Sequence, residues 1–187
     1  LGYHDSGLYG EIISGFAHTE VEKVAAAVTA VLDEERADVV IGYDPSGGYG
    51  HPDHLQVHRV VRTAVEQAAV PPQLFEATLP REPIVRAVRT AKALHLTPKD
   101  FDPAEFANAW TPKAEITHRV NVREYLAQKR ASLRAHASQA SADGTVRTLG
   151  VIAKLPPRVL GGIMGTEYYV KVSSASSTSD GLSALTH

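Results

Sequence analysis

Tyr43-Asp44-Pro45-Ser46-Gly47-Gly48-Tyr49-Gly50-His51-Pro52-Asp53-His54 follows the short apolar run Val39-Val40-Ile41-Gly42 and precedes an apolar-periodic run from Leu55 to Ala69. That order reads as a strand, a glycine-rich loop and a helix. Loops at the carboxyl ends of strands are where α/β sheets bind ligands. Pro52 suits the first helical position, where its missing N–H would be unbonded anyway. His51 then caps the helix, and Asp53 and His54 fall in its first turn. An aspartate there sits well against the positive end of the helix dipole. The same field disfavours a protonated imidazole, so His54 is expected to be neutral and able to ligate a metal. Gly47, Gly48 and Gly50 admit positive φ and let a ligand approach the backbone. The ordinary alternative is a capped helix after a polar loop. Two histidines and an aspartate within four residues outweigh it. His58 is four residues beyond His54 and could share its helix face and a metal. With no acidic partner fixed beside it, His58 reads instead as a surface residue.

Working outward, the chain has 187 residues and a net charge of −2, enough for one domain with a real core. That charge gives no electrostatic case for nucleic acid or an anionic membrane. The apolar runs are too short to span a bilayer. With no cysteine, there is neither a disulfide framework nor a thiolate metal site. Any metal must be held by His, Asp and Glu, which suits catalytic zinc.

Residues 2–16 read as a loop, with Asp5-Ser6-Gly7 as a turn signal. Thr19 and Glu22 fit a capping box for an amphipathic helix to about Ala37. Asp38 to Gly42 is the strand that feeds the loop, and the helix from Pro52 stops before Val70-Pro71-Pro72. Gln73 to Leu79 reads as a strand and Pro80 to Leu94 as a helix with Pro83 in its first turn. Leu96 to Pro112 is irregular; its aromatics Phe101, Phe106 and Trp110 could make it a substrate-facing segment, but the favoured reading is pins holding that connection to the core. Ile116 to Val120 alternates like a strand, Arg123 to Gln139 is a basic amphipathic helix ending near His136, and Glu167 to Val172 is a final strand. This alternation predicts an α/β layered fold with a largely parallel sheet. A domain over 1–172 is expected, with 173–187 a disordered tail rich in Ser and Thr.

The loop resembles the second motif of the PIG-L/LmbE-like zinc de-N-acetylases. The similarity is strongest to the branch that includes the mycothiol-pathway deacetylase and the mycothiol S-conjugate amidase. That branch carries Asp-Pro-Asn-Gly-Gly-Tyr-Gly-His-Pro-Asp-His, and this chain has Ser46 at the Asn position. Leu1-Gly2-Tyr3-His4-Asp5-Ser6-Gly7 is similar to a Gly-Tyr-Arg-Asp-Ser-Gly stretch, with His4 at the Arg position. The helix ending in Ala135-His136-Ala137-Ser138-Gln139 is a third similarity. The family's Ala-His-Pro-Asp-Asp-Glu motif, which supplies two zinc ligands and the general base, does not occur here. Leu1 stands where the middle of the family's domain would be, so an N-terminally incomplete, Rossmann-like fold is expected.

The resemblance implies a cytoplasmic hydrolase that removes acetyl from an N-acetylglucosaminyl compound, with Zn²⁺ as cofactor. The implied substrate is a small N-acylated amino sugar; neither nucleic acid nor a membrane span is expected. It implies His54 as the one zinc ligand in this chain. His51 would stabilise the oxyanion and protonate the amine, and Asp53 would be its hydrogen-bonding partner. Tyr49 would be a mobile hydroxyl that contacts the substrate and donates to the oxyanion; Asp5 would be a substrate-binding residue. The 187 residues alone are expected not to form a working enzyme. The alternatives are a mycothiol S-conjugate amidase-type hydrolase and a non-catalytic, sugar-binding or degenerate homologue. A serine hydrolase has little support, because no Gly-x-Ser-x-Gly elbow is present.

Overall fold

The computed structural model describes residues 15–97, 101–135 and 156–173. Its first helix, α1 (Val21–Glu35), leads to strand β1 (Val39–Tyr43). A single turn, α2 (Gly47–Gly50), is broken at Gly48 and runs into α3 (Pro52–Gln67). Then come β2 (Gln73–Thr78), α4 (Arg81–Ala93), β3 (His118–Asn121), α5 (Leu126–Ala135), α6 (Pro157–Met164) and β4 (Thr166–Lys171). Short 3-10 turns cover Pro103–Phe106, Lys113–Glu115 and Arg123–Tyr125. Asp5, His136 and all of the Ser/Thr-rich tail except Ser173 lie outside the described residues. Among the described residues no helix is long and apolar enough to cross a membrane.

The four strands of the described residues form one sheet in the order β1-β2-β4-β3. β1 and β2 are parallel, with Val39 opposite Gln73 and Tyr43 opposite Ala77. β2 and β4 are antiparallel, as are β3 and β4. The α/β class therefore holds, but the expected largely parallel sheet does not. Among the described residues, only the β1–α3–β2 unit is a parallel crossover of the kind the alternation implied. An antiparallel pair begins and ends its connection at the same end of the sheet. The connection between β3 and β4 does so, closing where Val122 N–H donates to the Gly165 carbonyl at 2.9 Å.

α3 packs against α1 and covers one face of β1. Its buried residues Asp53, Gln56, Val60, Ala64 and Val65 form one stripe at helical spacing. Ala25 and Ala64, both fully buried, leave room for the two helices to approach closely. Phe16, Val21, Val24, Val28 and Leu32 pack around them. Gln56 Nε2 donates to the Thr19 carbonyl at 2.6 Å, tying the start of α1 to α3. The expected capping box is not what starts α1: Glu20 is the N-cap residue, and Thr19 Oγ1 donates backwards to the Gly15 carbonyl at 2.7 Å. β2 is buried along most of its length at Leu74, Phe75, Glu76 and Thr78. β1 is an edge among the described residues, and Val39 and Ile41, on the face away from α3, are exposed.

Candidate active site

β1 ends at Tyr43, and the chain turns inward at Asp44, which is fully buried. A buried carboxylate is costly unless its oxygens are hydrogen-bonded. Asp44 Oδ1 accepts from Ser46 Oγ at 2.8 Å and from Gly48 N–H at 2.9 Å. Asp44 Oδ2 accepts from the Thr78 hydroxyl and from the Thr111 hydroxyl, the latter at 3.2 Å. One side chain thus ties the loop to the end of β2 and to the residues that follow the irregular connection.

The glycines behave as the sequence implies. Gly47, Gly48 and Gly50 have φ of 60°, 68° and 92°. At Gly47 a side chain would also be crowded out, since a Cβ there would lie 2.9 Å from the Leu55 nitrogen. The loop can therefore lie flat on the first turn of α3. His51 is the N-cap residue and Pro52 the first helical residue, as expected. His51 Nδ1 accepts from the Asp53 main-chain N–H at 3.1 Å. Asp53 therefore meets His51 through its backbone, in a capping bond. Such a bond fixes the neutral tautomer with its proton on Nε2.

His54 is held in two ways. Its ring stacks on Tyr43 with centroids 4.0 Å apart and planes 8° from parallel. Its Nδ1 lies 3.1 Å from the Gly47 carbonyl, which can only accept, so Nδ1 carries the proton and Nε2 has a lone pair. Burial pushes the His54 imidazole below its usual pKa, and the neighbouring His51 adds to that; the Gly47 hydrogen bond pulls the other way. His54 is neutral for the reason of burial first, whereas the sequence argument rested on the helix dipole. His51 is 4.9 Å from His54 between ring centroids, and Tyr49 stands edge-on to His54 at 5.4 Å and to His51 at 6.1 Å. Tyr49, His51 and His54 thus form one cluster at the carboxyl end of β1. Grooves beside α4, lined among others by Arg86, Lys113 and Leu96, contain none of the three.

His58 departs from its expectation. Its side chain is 16% exposed and lies 3.3 Å from the buried carboxylate of Glu76 on β2. Its Nδ1 also approaches the Tyr43 carbonyl at 3.1 Å. Arg62 Nε donates to the same Glu76 oxygen at 3.0 Å. The hydrogen bond to Glu76 raises the His58 pKa above its usual value. His58 is an ion-pairing residue under the site, not a surface residue, and among the described residues no group of three His, Cys, Asp or Glu could hold a metal. The glutamate was hard to foresee, because it lies in a strand 18 residues further on.

Sequence reasoning also missed the partners of the loop. Asp44 stood in the quoted stretch without a role, and Thr78 and Thr111 carry no local signal. Trp110 was read as a pin for its connection. It does stack on Phe106 at 6.0 Å, but its N–H also donates to the Gly48 carbonyl at 2.7 Å.

Residues 1–65, which contain this whole loop, match the family model PIG-L, described as GlcNAc-PI de-N-acetylase. Several curated relatives carry the name 1D-myo-inositol 2-acetamido-2-deoxy-alpha-D-glucopyranoside deacetylase, three of them as follows. That of Saccharomonospora viridis is 38% identical over 141 residues, covering 73% of this chain and 52% of the relative. That of Nocardia farcinica is 38% identical over 187 residues, covering 91% and 60%. That of Geodermatophilus obscurus is 32% identical over 200 residues, covering 96% and 65%. The chain thus spans between 52% and 65% of the length of these three relatives. The matched residues include the loop whose cluster is built above, and on both grounds the chain belongs to the PIG-L/LmbE-like family, near the branch of those deacetylases.

Proposed function

We propose that this chain forms the His51, His54 and Tyr49 part of a zinc-dependent de-N-acetylase site. The proposed substrate is the N-acetylglucosaminyl inositol named for the relatives, a small N-acylated amino sugar. The observation that carries the reading is the state of His54: a neutral ring with Nδ1 tied to the Gly47 carbonyl and its plane set by Tyr43. That is how a metal-binding imidazole is held ready, with one nitrogen on a carbonyl and the other offering its lone pair. The donor fits zinc but is a single ligand, so the other ligands and the general base would come from outside the described residues. When bound, zinc would lower the pKa of a water and polarise the amide carbonyl.

The remaining chemistry falls to this chain's own groups. Neutral His51 carries its proton on Nε2, because Nδ1 is occupied by the Asp53 N–H. That N–H can donate a hydrogen bond to the developing oxyanion. Protonating the departing amine needs the imidazolium, formed when Nδ1 takes up a proton in place of its capping bond to the Asp53 N–H. The Tyr49 hydroxyl, carried beside both imidazoles, is a second donor to the oxyanion. Tyr49→Phe should cost less than loss of His51, since other groups still stabilise that charge. Asp53 contributes the capping bond that orients His51, and Asp5 is assigned to sugar binding. A Rossmann-like layered domain around the site and a cytoplasmic setting belong to the same proposal.

The test offers the zinc-loaded, full-length protein N-acetylglucosaminyl inositol and mycothiol S-conjugates and measures the acetate released from the first and the glucosaminyl amine freed from the second. Acetate from the first alone is expected. Cleavage of the conjugates alone would move the assignment to the amidase, and no cleavage of either would refute the hydrolase reading.

A further inference from the structure

We infer that Trp110 is a positioning residue of this site, holding Gly48 and through it Tyr49. The inference rests on the proposed hydrolase reading for its kinetic consequence, but its structural basis does not. Trp110 is a bulky residue at φ 54°, in the left-handed region that such side chains rarely enter. A conformation of that kind persists only where its surroundings over-determine it, and it clusters at functional sites.

The surroundings here do so. Arg81 donates to three successive carbonyls, those of Asn108 at 3.4 Å, Ala109 at 3.0 Å and Trp110 itself. Arg81 N–H donates to the Thr111 carbonyl at 3.0 Å, and Thr111 N–H donates to Thr78 Oγ1 at 3.1 Å. Ala109 is buried. The indole stacks on Phe106, which in turn packs on Phe101 at 5.7 Å. On the loop side, the indole nitrogen lies 3.5 Å from where a Cβ on Gly48 would stand.

All of this converges on one peptide unit. Gly48 has φ 68° and ψ −103°, a conformation open to glycine. Its N–H is taken by Asp44 Oδ1 at 2.9 Å, and its carbonyl accepts from Trp110 N–H at 2.7 Å. Gly48 is thus pinned on both sides, and Tyr49 is the next residue. Tyr49 is then delivered to His51 and His54 by a braced backbone, so what mobility it has lies in its side-chain torsions. Trp110 does not touch the reacting groups; it acts through Gly48.

The experiment has one arm that needs no activity. Amide hydrogen exchange resolved at Gly48 and Trp110 in the full-length protein should be slow at both positions, as for bonds that open only with the surrounding structure. Exchange at the rate of an open loop overturns the inference even if the enzyme is active. The kinetic arm uses Trp110→Gly, which keeps the N–H and relieves the backbone, and Trp110→Phe, which keeps an aromatic ring. Trp110→Gly should lower kcat by roughly 10²-fold with KM little changed, the cost of a misplaced group. Trp110→Phe should recover most of that loss. In Trp110→Gly, adding Tyr49→Phe should cost nothing further, because the hydroxyl is already out of place. Effects of the two substitutions that multiply independently would show that Trp110 does not act through Tyr49. A wild-type protein that binds zinc and releases no acetate would sink the function and leave the exchange measurement to decide on the clamp.

Discussion

The loop from Asp44 to His54 and the short segment from Ala109 to Thr111 meet across two hydrogen bonds, yet they are built on opposite plans. The loop shows its chemistry in side chains: two imidazoles, a phenol and two carboxylates, spaced by three glycines at positive φ. The facing segment contributes a main-chain N–H, a hydroxyl and an indole wall. Asp44 is the joint between them, accepting from Gly48 and Ser46 on one side and from Thr78 and Thr111 on the other. The comparison teaches that the reactive groups and the brace that aims them come from parts of the chain more than 50 residues apart. Removing a reactive group should therefore cost rate with little stability, and removing the brace should cost stability as well.

The largest effect is expected at His51. His51→Ala in the active protein should lower kcat by about 10²–10⁴-fold, the range for a lost general acid. Its capping bond to Asp53 is also lost, for about 1 kcal/mol of stability. Steady-state kinetics beside denaturant unfolding separates the two. A loss of kcat no greater than the stability loss explains would make His51 merely a cap.

Asp44→Ala should reverse the balance. It leaves the Gly48 N–H and the Thr78 and Thr111 hydroxyls without their buried acceptor. Each unsatisfied buried donor costs about 1–3 kcal/mol, so a loss of several kcal/mol is expected from urea unfolding. Asp44→Asn keeps the shape and one acceptor oxygen and should lose less. A neutral Asp44→Ala would mean that the two segments are not joined as described.

The smallest effect concerns His58, beneath the same strand. Its pKa is raised above 6.5 in the folded protein, chiefly by the hydrogen bond to Glu76. A raised pKa stabilises the fold below the unfolded value and loses that contribution as pH rises through the folded one. The melting-temperature difference between the parent and His58→Gln should therefore be larger near pH 6 than at pH 9. A difference that grows with pH would contradict the ion pair. The same substitution should leave zinc content unchanged, since His58 faces Glu76 and the Tyr43 carbonyl.

Much of this was legible in the chain, and the reasons are local. Pro52 after His51 marks a helix start, and three glycines with a proline mark a tight loop. β1, α3, β2 and α4 were therefore placed within a residue or two. The parallel pairing of β1 and β2 was legible, but the directions of β3 and β4 were not. Whether β4 joins β2 parallel or antiparallel is decided by where the chain returns after residues 122–165, and no local period encodes that. Thr19 and Glu22 had the spacing of a capping box, but the Gly15 carbonyl took the hydroxyl instead. His58 lacked an acid three or four residues away in its own helix and found one on the neighbouring strand. Trp110 looked like any aromatic in an irregular segment, because its main-chain contact with Gly48 leaves no mark on composition or spacing.

The central claim is that the two imidazoles of the loop divide the work, His54 holding metal and His51 moving a proton. It is tested most directly by zinc content in the purified full-length protein and in its His54→Ala and His51→Ala variants. The account predicts that His54→Ala loses zinc with activity, whereas His51→Ala retains zinc and loses turnover. Equal zinc loss in the two variants, or full zinc retention in His54→Ala, would contradict it.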